Sequence, residues 1–261
     1  MRNAIVPQLV RLAREIGRED RGLAILGEGN VSADAGDGTF WVKASGTRMG
    51  AASPKDYLRA STAKVLRFLR ERGTGREEDA VVMAGLRSCV VGPRQGQPST
   101  ETFIHALCLT EGRAKWVGHL HPTATMGLLC SRQGAKPFLQ GLFPDEIVYC
   151  GLPPAVIPYV DPGAKLAYAV RDAIRRHLRR HGMPPRLILE LNHGILVLGQ
   201  TMDEVVNISL MTEKWARVLL GTIAAGGPRF LSPRQARHID RWPAEHYRRK
   251  LALRSPLRGH T

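Results

Sequence analysis

Residues 187–199 read LILELNHGILVLG, a run that is apolar almost without a break. Only Glu190 and the step Asn192-His193-Gly194 interrupt it. Such a run is either one fully buried strand or a tight hairpin of two. Working outward, a long helix is expected from Thr201 or Asp203 to about Ala224, stopped by Gly226-Gly227-Pro228. A basic helix over 163–181 precedes the run, and residues 115–121 form another strand, followed by a helix that Pro122 opens and that extends to Leu129. Near the N-terminus, residues 5–17 carry Ile5, Leu9, Leu12 and Ile16 at helical spacing. Two short strands follow, joined by the Asp/Gly turn at 34–38. Ser53-Pro54 starts a helix expected over 57–72, then come a polar loop at 73–79 and a strand over 80–91 that carries Met83 and Cys89 inward. Pro98 to Glu101 opens a further helix that Ser99 or Thr100 can cap. The segment 134–163 reads as loop with short strands at 147–149 and 155–159. Strands and helices alternate throughout, which defines an α/β class with one central sheet covered by helices.

The chain has 261 residues, 43% of them hydrophobic, enough for one globular core. Residues 1–228 read as one domain and 229–261 as a basic C-terminal extension. No run approaches the roughly 18 apolar residues of a membrane span. The first residues carry charges throughout and no apolar core with a cleavage site, so no secretory signal is expected. Cys89, Cys108, Cys130 and Cys150 form no CxxC pair and are expected to be reduced thiols, consistent with a cytoplasmic location. The net charge of +15 is concentrated in 171–186 and in the tail, where nine Arg or Lys face two acids from Arg229 onward. Neither segment interleaves stacking aromatics, and no helix-turn-helix, zinc-finger or RNP-type motif is present. The charge therefore argues against a specific nucleic-acid partner and for attraction of a small anionic, phosphorylated substrate. The tail, with Trp242 and Tyr247, either folds over a neighbour's site or is a solvated extension.

His119 and His121, in WVGHLHPTAT, are two apart on a strand, so their imidazoles share a face. His193 lies at the break in the apolar run, where a polar pair is costly without partners. Three neutral imidazoles with an open position describe a catalytic zinc-type site; the bland alternative is satisfied core histidines. Glu101, in QPSTETFIHAL, falls in the first turn of a helix whose dipole favours its charge. It is either a helix-terminus carboxylate or a general acid/base beside the metal. Residues 27–32 (GEGNVS) with Asn30, and 44–47 (ASGT) with Ser45 and Gly46, are small-residue turns. Together with Ser99 and Thr100 they can cradle a phosphate through N–H and hydroxyl donors. His177 and His181 are four apart on a helix, but four neighbouring arginines disfavour a cation there. Glu101 and His105 read as a helix-face contact.

Read together, GEGNVSA, KASGT, PSTE, HLHPTAT and LNHGILVLG run in the order of the class II aldolase/adducin family, which the chain resembles over roughly residues 27–220. With PYVDPG at 158–163 and HYRR at 246–249, the wording is similar to the aldolase part of bifunctional aldolase/short-chain dehydrogenase proteins; 261 residues are too few to hold the dehydrogenase as well. The resemblance implies a three-layer α/β/α fold with a mostly antiparallel central sheet, assembled as a homotetramer with sites between subunits. It implies that His119, His121 and His193 hold a divalent metal ion, usually Zn2+, and that Glu101 is the catalytic acid/base. It also implies that Asn30, Ser45, Gly46, Ser99 and Thr100 bind the substrate phosphate. The expected activity is that of a lyase: aldol cleavage of a phosphorylated ketose through a metal-stabilised enediolate. An epimerase, dehydratase or decarboxylase would use the same metal site. A non-enzymatic adducin-like scaffold would lack ligands that are all present here. Family aldolases often read TPSG where this chain has KASG, which opens the option that Lys43 approaches the substrate. They also use a tyrosine from a neighbouring subunit, for which Tyr149, Tyr159 and Tyr247 are candidates.

Overall fold

A computed structural model describes residues 5–72, 79–92, 96–151, 153–245 and 247. The apolar run at 187–199 is the hairpin: β6 (Leu187–Glu190) turns through Asn192 into β7 (Gly194–Gly199), and every residue of both strands is buried. Asn192 adopts a left-handed φ of 57°, a conformation that asparagine tolerates in turns. The hairpin sits inside a seven-stranded sheet. Its other members are β1 (Asn30–Asp34), β2 (Thr39–Lys43), β3 (Tyr57–Ser61), β4 (Trp116–Leu120) and β5 (Ala155–Ile157). The order is β3-β2-β1-β4-β7-β6-β5, and all pairs are antiparallel except β5 with β6.

Both faces of the sheet are covered, which is why 187–199 lacks the polar alternation of a half-exposed strand. Leu187, Leu189, Ile195 and Val197 pack with α1 (Ile5–Ile16), α5 (Thr123–Leu129) and α8 (Met202–Ala224). Trp215 anchors this layer, its ring set edge-on to Phe138 at 5.0 Å. Ile188, Leu196 and Leu198 point the other way, toward α2 (Thr62–Arg72), α3 (Asp79–Cys89), α4 (Thr102–Thr110) and α7 (Ala164–His181). The expected three-layer α/β arrangement with a mostly antiparallel centre is what the structure has. The four cysteines are free, and three of them are buried.

Three sequence expectations give way. Residues 57–72 are not one helix: Ser53 and Asp56 form a capping box around a single 3-10 turn, and 57–61 then pair with β2 as β3 before α2 begins. Tyr57, Leu58 and Ala60 are buried there, so sheet pairing overrides helical propensity. Residues 80–91 are not a strand but α3, whose Val82, Leu86 and Cys89 recur at helical spacing against the core. Gly85 lets that helix lie directly on the Phe68 ring. Only Val90, just past α3, bridges to β3. Residues 147–149 belong to α6 (Pro144–Cys150), which Pro144 opens in its first turn. The polar loop expected at 73–79 lies outside the described residues except for Asp79.

Beyond α8, the chain continues into α9 (Pro233–Arg241), capped by a Ser232–Gln235 box, with Ala236 buried close to Gly141. Trp242 and Tyr247 are exposed. The remainder of the expected basic extension, 248–261, lies outside the described residues. Among the described residues, no helix is long and apolar enough to cross a membrane.

Glu146, on α6, is fully buried; it accepts from the Leu142 N–H at 2.8 Å through Oε1, and Oε2 has no hydrogen-bond partner. Burial pushes its carboxyl up from 4.5 to about 8. The protonated form therefore stabilises the fold fully below pH 4.5, and that contribution is lost as pH rises toward 8. Glu146→Gln is expected to raise the melting temperature at pH 8 and leave it nearly unchanged at pH 4. Melting curves of both proteins across that range check this; equal curves at every pH would contradict the assignment.

Candidate functional site

The strand register brings the chemistry to one end of one face. Asn30 of β1 lies opposite His119 of β4, and His119 lies opposite Leu196 of β7. Val31, Ala33 and Leu120 enter the core beneath α1 and α8. The alternation of a strand therefore turns Asn30, Ser32, His119 and Glu190 toward the α4 side. His121 follows at the end of β4, and His193 closes the β6–β7 turn with its N–H on Glu190 O at 3.1 Å. α4 sets Glu101 at its N-cap, one residue before the first helical turn, and the Glu101 N–H donates to Ser99 Oγ at 3.2 Å. Neither Ser99 nor Thr100 is the cap itself.

The three histidines converge. One nitrogen from each lies within 4.8 Å of the others. His119 Nε2 and His121 Nε2 are 3.1 Å apart. Two imidazole nitrogens on one tetrahedral ion, at bonds of about 2.0–2.1 Å, would stand about 3.3 Å apart. Glu101 Oε1 is at a similar separation, 3.4 Å from His119 Nε2 and 3.5 Å from His193 Nε2. Each Nδ1 faces an oxygen. His119 Nδ1 is 3.1 Å from the Ile195 carbonyl and 3.4 Å from Glu190 Oε2, His121 Nδ1 is 3.1 Å from Glu28 Oε2, and His193 Nδ1 is 3.6 Å from Glu190 Oε2. The Nδ1–H groups of His119 and His121, held this way, leave their Nε2 lone pairs aimed at the common centre, as in sites that hold a metal ion, whereas His193 Nδ1 only lies near Glu190 without a hydrogen bond. The donor set, three imidazoles beside a carboxylate, fits a divalent transition metal.

The electrostatics favour positive charge at that point. Burial opposes a charge on His119, but Glu101 and Glu190 prevail and lift it to about 9. For Glu101, burial acts against ionisation; His119 and the hydrogen bonds from His119, His193 and Asn30 outweigh it and hold the carboxyl well below the usual range. Burial raises Glu190, with His119 and His193 acting against that rise. His121 is lowered by burial and by His119. His105 is fully buried, and burial, with His119 adding to it, brings it down to about 3, so its ring is neutral.

Among the residues expected to hold phosphate, the structure brings three segments together: Gly27 approaches Gly46, and the Ser45 N–H donates to Gln97 O at 2.9 Å. Ser45 and Gly46 are exposed, and Ser99 and Thr100 are half-buried. Asn30 is different. It is buried, and its carboxamide is committed to Glu101 on one side and His105 on the other. The Lys43 ammonium is turned into the protein. The residue is 1% exposed, and its ammonium donates to the carbonyls of Ala44 and Thr47 beneath the 44–47 turn. The His105 N–H donates to the Glu101 carbonyl at 3.2 Å, as their helical spacing requires, but the His105 ring meets the Glu101 carboxylate through Asn30. His177 uses both ring nitrogens on carbonyls, Met183 O at 2.8 Å and Pro153 O at 3.0 Å, so it has none left for a metal. Of the tyrosines, Tyr159 is exposed and donates to Asp161, Tyr149 packs on the core, and Tyr247 is exposed. Glu28 and Glu190 were missed as site residues. Glu190 had a signal, a lone carboxylate in an otherwise apolar strand.

The chain belongs to the family described as Class II Aldolase and Adducin N-terminal domain, whose profile matches residues 7–220. It is similar to an uncharacterized oxidoreductase, YuxG of Bacillus subtilis, with 25% identity over 206 residues; the match takes in 76% of this chain and 27% of that protein, so the chain spans about a quarter of that relative's length. Among solved structures, it superposes on YgbL of Klebsiella pneumoniae, a candidate aldolase/epimerase/decarboxylase, with a TM-score of 0.69, 20% identity and coverage of 92% and 99% of the two chains. It superposes on an L-fuculose 1-phosphate aldolase with a TM-score of 0.67, 17% identity and coverage of 91% and 94%. The N-terminal class II aldolase domain of a conserved Thermoplasma acidophilum protein gives 0.65, 23%, and coverage of 82% and 93%.

Gly194 has no room for a side chain: a Cβ would press on Leu120 O and stand 2.7 Å from His121 Cδ2. Gly194→Ala is expected to push the His121 ring out of the cluster at an overpacking cost of about 1–3 kcal/mol. Ring 15N shifts of the three histidines, measured beside far-UV circular dichroism, check this. Unmoved shifts would show that the site tolerates the methyl group.

Proposed function

We propose that this chain is a metal-dependent lyase that performs aldol cleavage of a phosphorylated ketose. The observation that carries the reading is the convergence of one nitrogen from each of three imidazoles, with the His119 and His121 rings held through Nδ1 by the Ile195 carbonyl and Glu28 and the Glu101 carboxylate beside them. Membership of the class II aldolase family, and a fold shared with an L-fuculose 1-phosphate aldolase, support it. His119, His121 and His193 hold a divalent cation, zinc being the ion that this donor set suits best. Bound there, the cation supplies a Lewis acid that stabilises the enediolate left by carbon–carbon cleavage. Glu101 is the general acid/base, protonating that carbon in cleavage and deprotonating it in synthesis. Glu190 and Glu28 orient the imidazoles from behind. Ser45, Gly46, Ser99 and Thr100 take the substrate phosphate at the exposed lip of the site, in a homotetramer with sites between subunits. A cytoplasmic location belongs to the same reading.

An epimerase, dehydratase or decarboxylase is the second reading, kept because the same metal site would serve each of them and because YgbL, whose fold this chain shares, is described as a candidate aldolase/epimerase/decarboxylase. The reactions part at the product: aldol cleavage alone releases an aldehyde and a three-carbon ketone phosphate. Metal analysis followed by a screen of ketose phosphates for aldehyde release separates them.

His121→Ala is expected to lose bound metal while staying folded, since its ring is part-exposed. Glu101→Gln is expected to keep metal and lose about 100-fold or more in kcat; full activity in that variant would remove Glu101 from the chemistry. Glu190→Gln should weaken metal affinity about 10- to 100-fold by loosening two rings at once. Competition with a chromogenic chelator measures it, and an unchanged affinity would leave Glu190 without the orienting role.

A further inference from the structure

Four side chains from β1, α4 and its N-cap form a line of hydrogen bonds that ends on Glu101. Ser32 Oγ lies 2.6 Å from His105 Nδ1, His105 Nε2 meets Asn30 Oδ1, and Asn30 Nδ2 meets Glu101 Oε2. Ser32 and His105 are completely buried, and Asn30 is nearly so. The direction of every bond follows from the end. The Asn30 amino group donates to Glu101 Oε2, and its carbonyl faces His105. That carbonyl only accepts, so His105 carries its hydrogen on Nε2. A neutral ring then has a bare Nδ1, and the Ser32 hydroxyl donates to it. All donors point toward Glu101, an arrangement in which each bond polarises the next.

We propose that Ser32, His105 and Asn30 are positioning residues that clamp Oε2 of Glu101 and leave Oε1 as the oxygen that exchanges protons with the substrate. This rests on the acid/base role of Glu101 given above. Oε1 is the oxygen that faces His119 and His193, on the side where the substrate would be held. Were the carboxylate free to rotate, its two oxygens would alternate at that position and only part of the population would be aligned for transfer. Asn30 thereby acts through Glu101. The bonds of this line run among Ser32, His105, Asn30 and Glu101 and include no imidazole of the triad, so removal of the first three should spare metal binding.

The test compares two substitutions at His105. Glutamine retains an N–H donor that can reach Asn30 Oδ1, whereas leucine fills the space without one. A ring that only fills the core predicts that leucine serves at least as well as glutamine. The positioning role predicts that His105→Leu and Asn30→Ala lose about 10- to 100-fold in kcat, with KM and metal content unchanged, and that His105→Gln recovers most of the loss. The readout is solvent-deuterium exchange into dihydroxyacetone phosphate, the three-carbon ketone phosphate of the proposed cleavage, followed by NMR on the metal-loaded protein. Equal rates for the leucine and glutamine variants would overturn the proposal, as would a changed metal content that accounts for the loss. If the parent protein exchanges nothing, the lyase reading fails, and a second measurement still decides the clamp. Ring 15N shifts of His105, assigned by its disappearance in the glutamine variant, must show a neutral ring protonated at Nε2. The Nδ1–H tautomer would overturn the chain of donors.

Discussion

The register of β4 between β1 and β7, inside a sheet buried on both faces, is the constraint from which the site follows. Side chains along a strand alternate, so a slip of one residue would send His119 into the core beneath α1 and α8 and bring Leu120 to the site. The same slip would part His119 from Asn30 and from the Ile195 carbonyl that holds its Nδ1. Burial on both faces makes such a slip costly, since each displaced Leu or Ile forfeits about 1.5–3 kcal/mol. Precision at the histidines is thus enforced by hydrophobic contacts well away from them, and above all by Leu187–Gly199, which packs both layers.

The polar cluster at the end of this face sits in an environment that ordinarily neutralises charge. A buried carboxylate such as Glu190, with neither oxygen hydrogen-bonded, carries a desolvation penalty of several kcal/mol. Here three carboxylates, Glu28, Glu101 and Glu190, surround three imidazoles, and the raised proton affinity of His119 reports the negative field between them. A centre built this way favours one positive charge at its middle. The remaining polar side chains on this face, Ser32, His105 and Asn30, are satisfied by one another, and the adjoining Lys43 is satisfied by the backbone it supports.

Much of this was legible in the chain before the structure. The spacing of His119 and His121 implied a shared side of one strand, and the break at Asn192-His193-Gly194 implied a turn; the structure has both. The helices at 5–17, 163–181 and from Thr201 needed only periodicity and end signals. What escaped depended on partners distant in sequence. Residues 57–61 look helical until β2 is present to pair with them, and 80–91 read as a strand carrying Met83 and Cys89 inward until Phe68 and the sheet face give Val82, Leu86 and Cys89 a helical groove. Glu28 gives no local sign of its contact with His121, 93 residues away, and His105 showed its relation to Glu101 but not the asparagine between them. For Lys43 the wording KASG opened the option of a substrate contact, since nothing local shows that the turn folds over it.

The outer strands of the sheet carry a separate consequence, one of solubility. β5 is only three residues long and offers little edge to pair with. β3 is longer, but the segment after α3 lies along it: Val90 bridges to Ala60, and the Val91 N–H donates to Arg59 O at 2.7 Å. A strand edge left open is a template for pairing with another chain, and this short segment occupies it. Damage to α3 would thus uncover backbone donors and acceptors far from the histidines. Such a chain would self-associate through β3 while its imidazole cluster was still intact, so aggregation and loss of the site are separable failures of the same molecule.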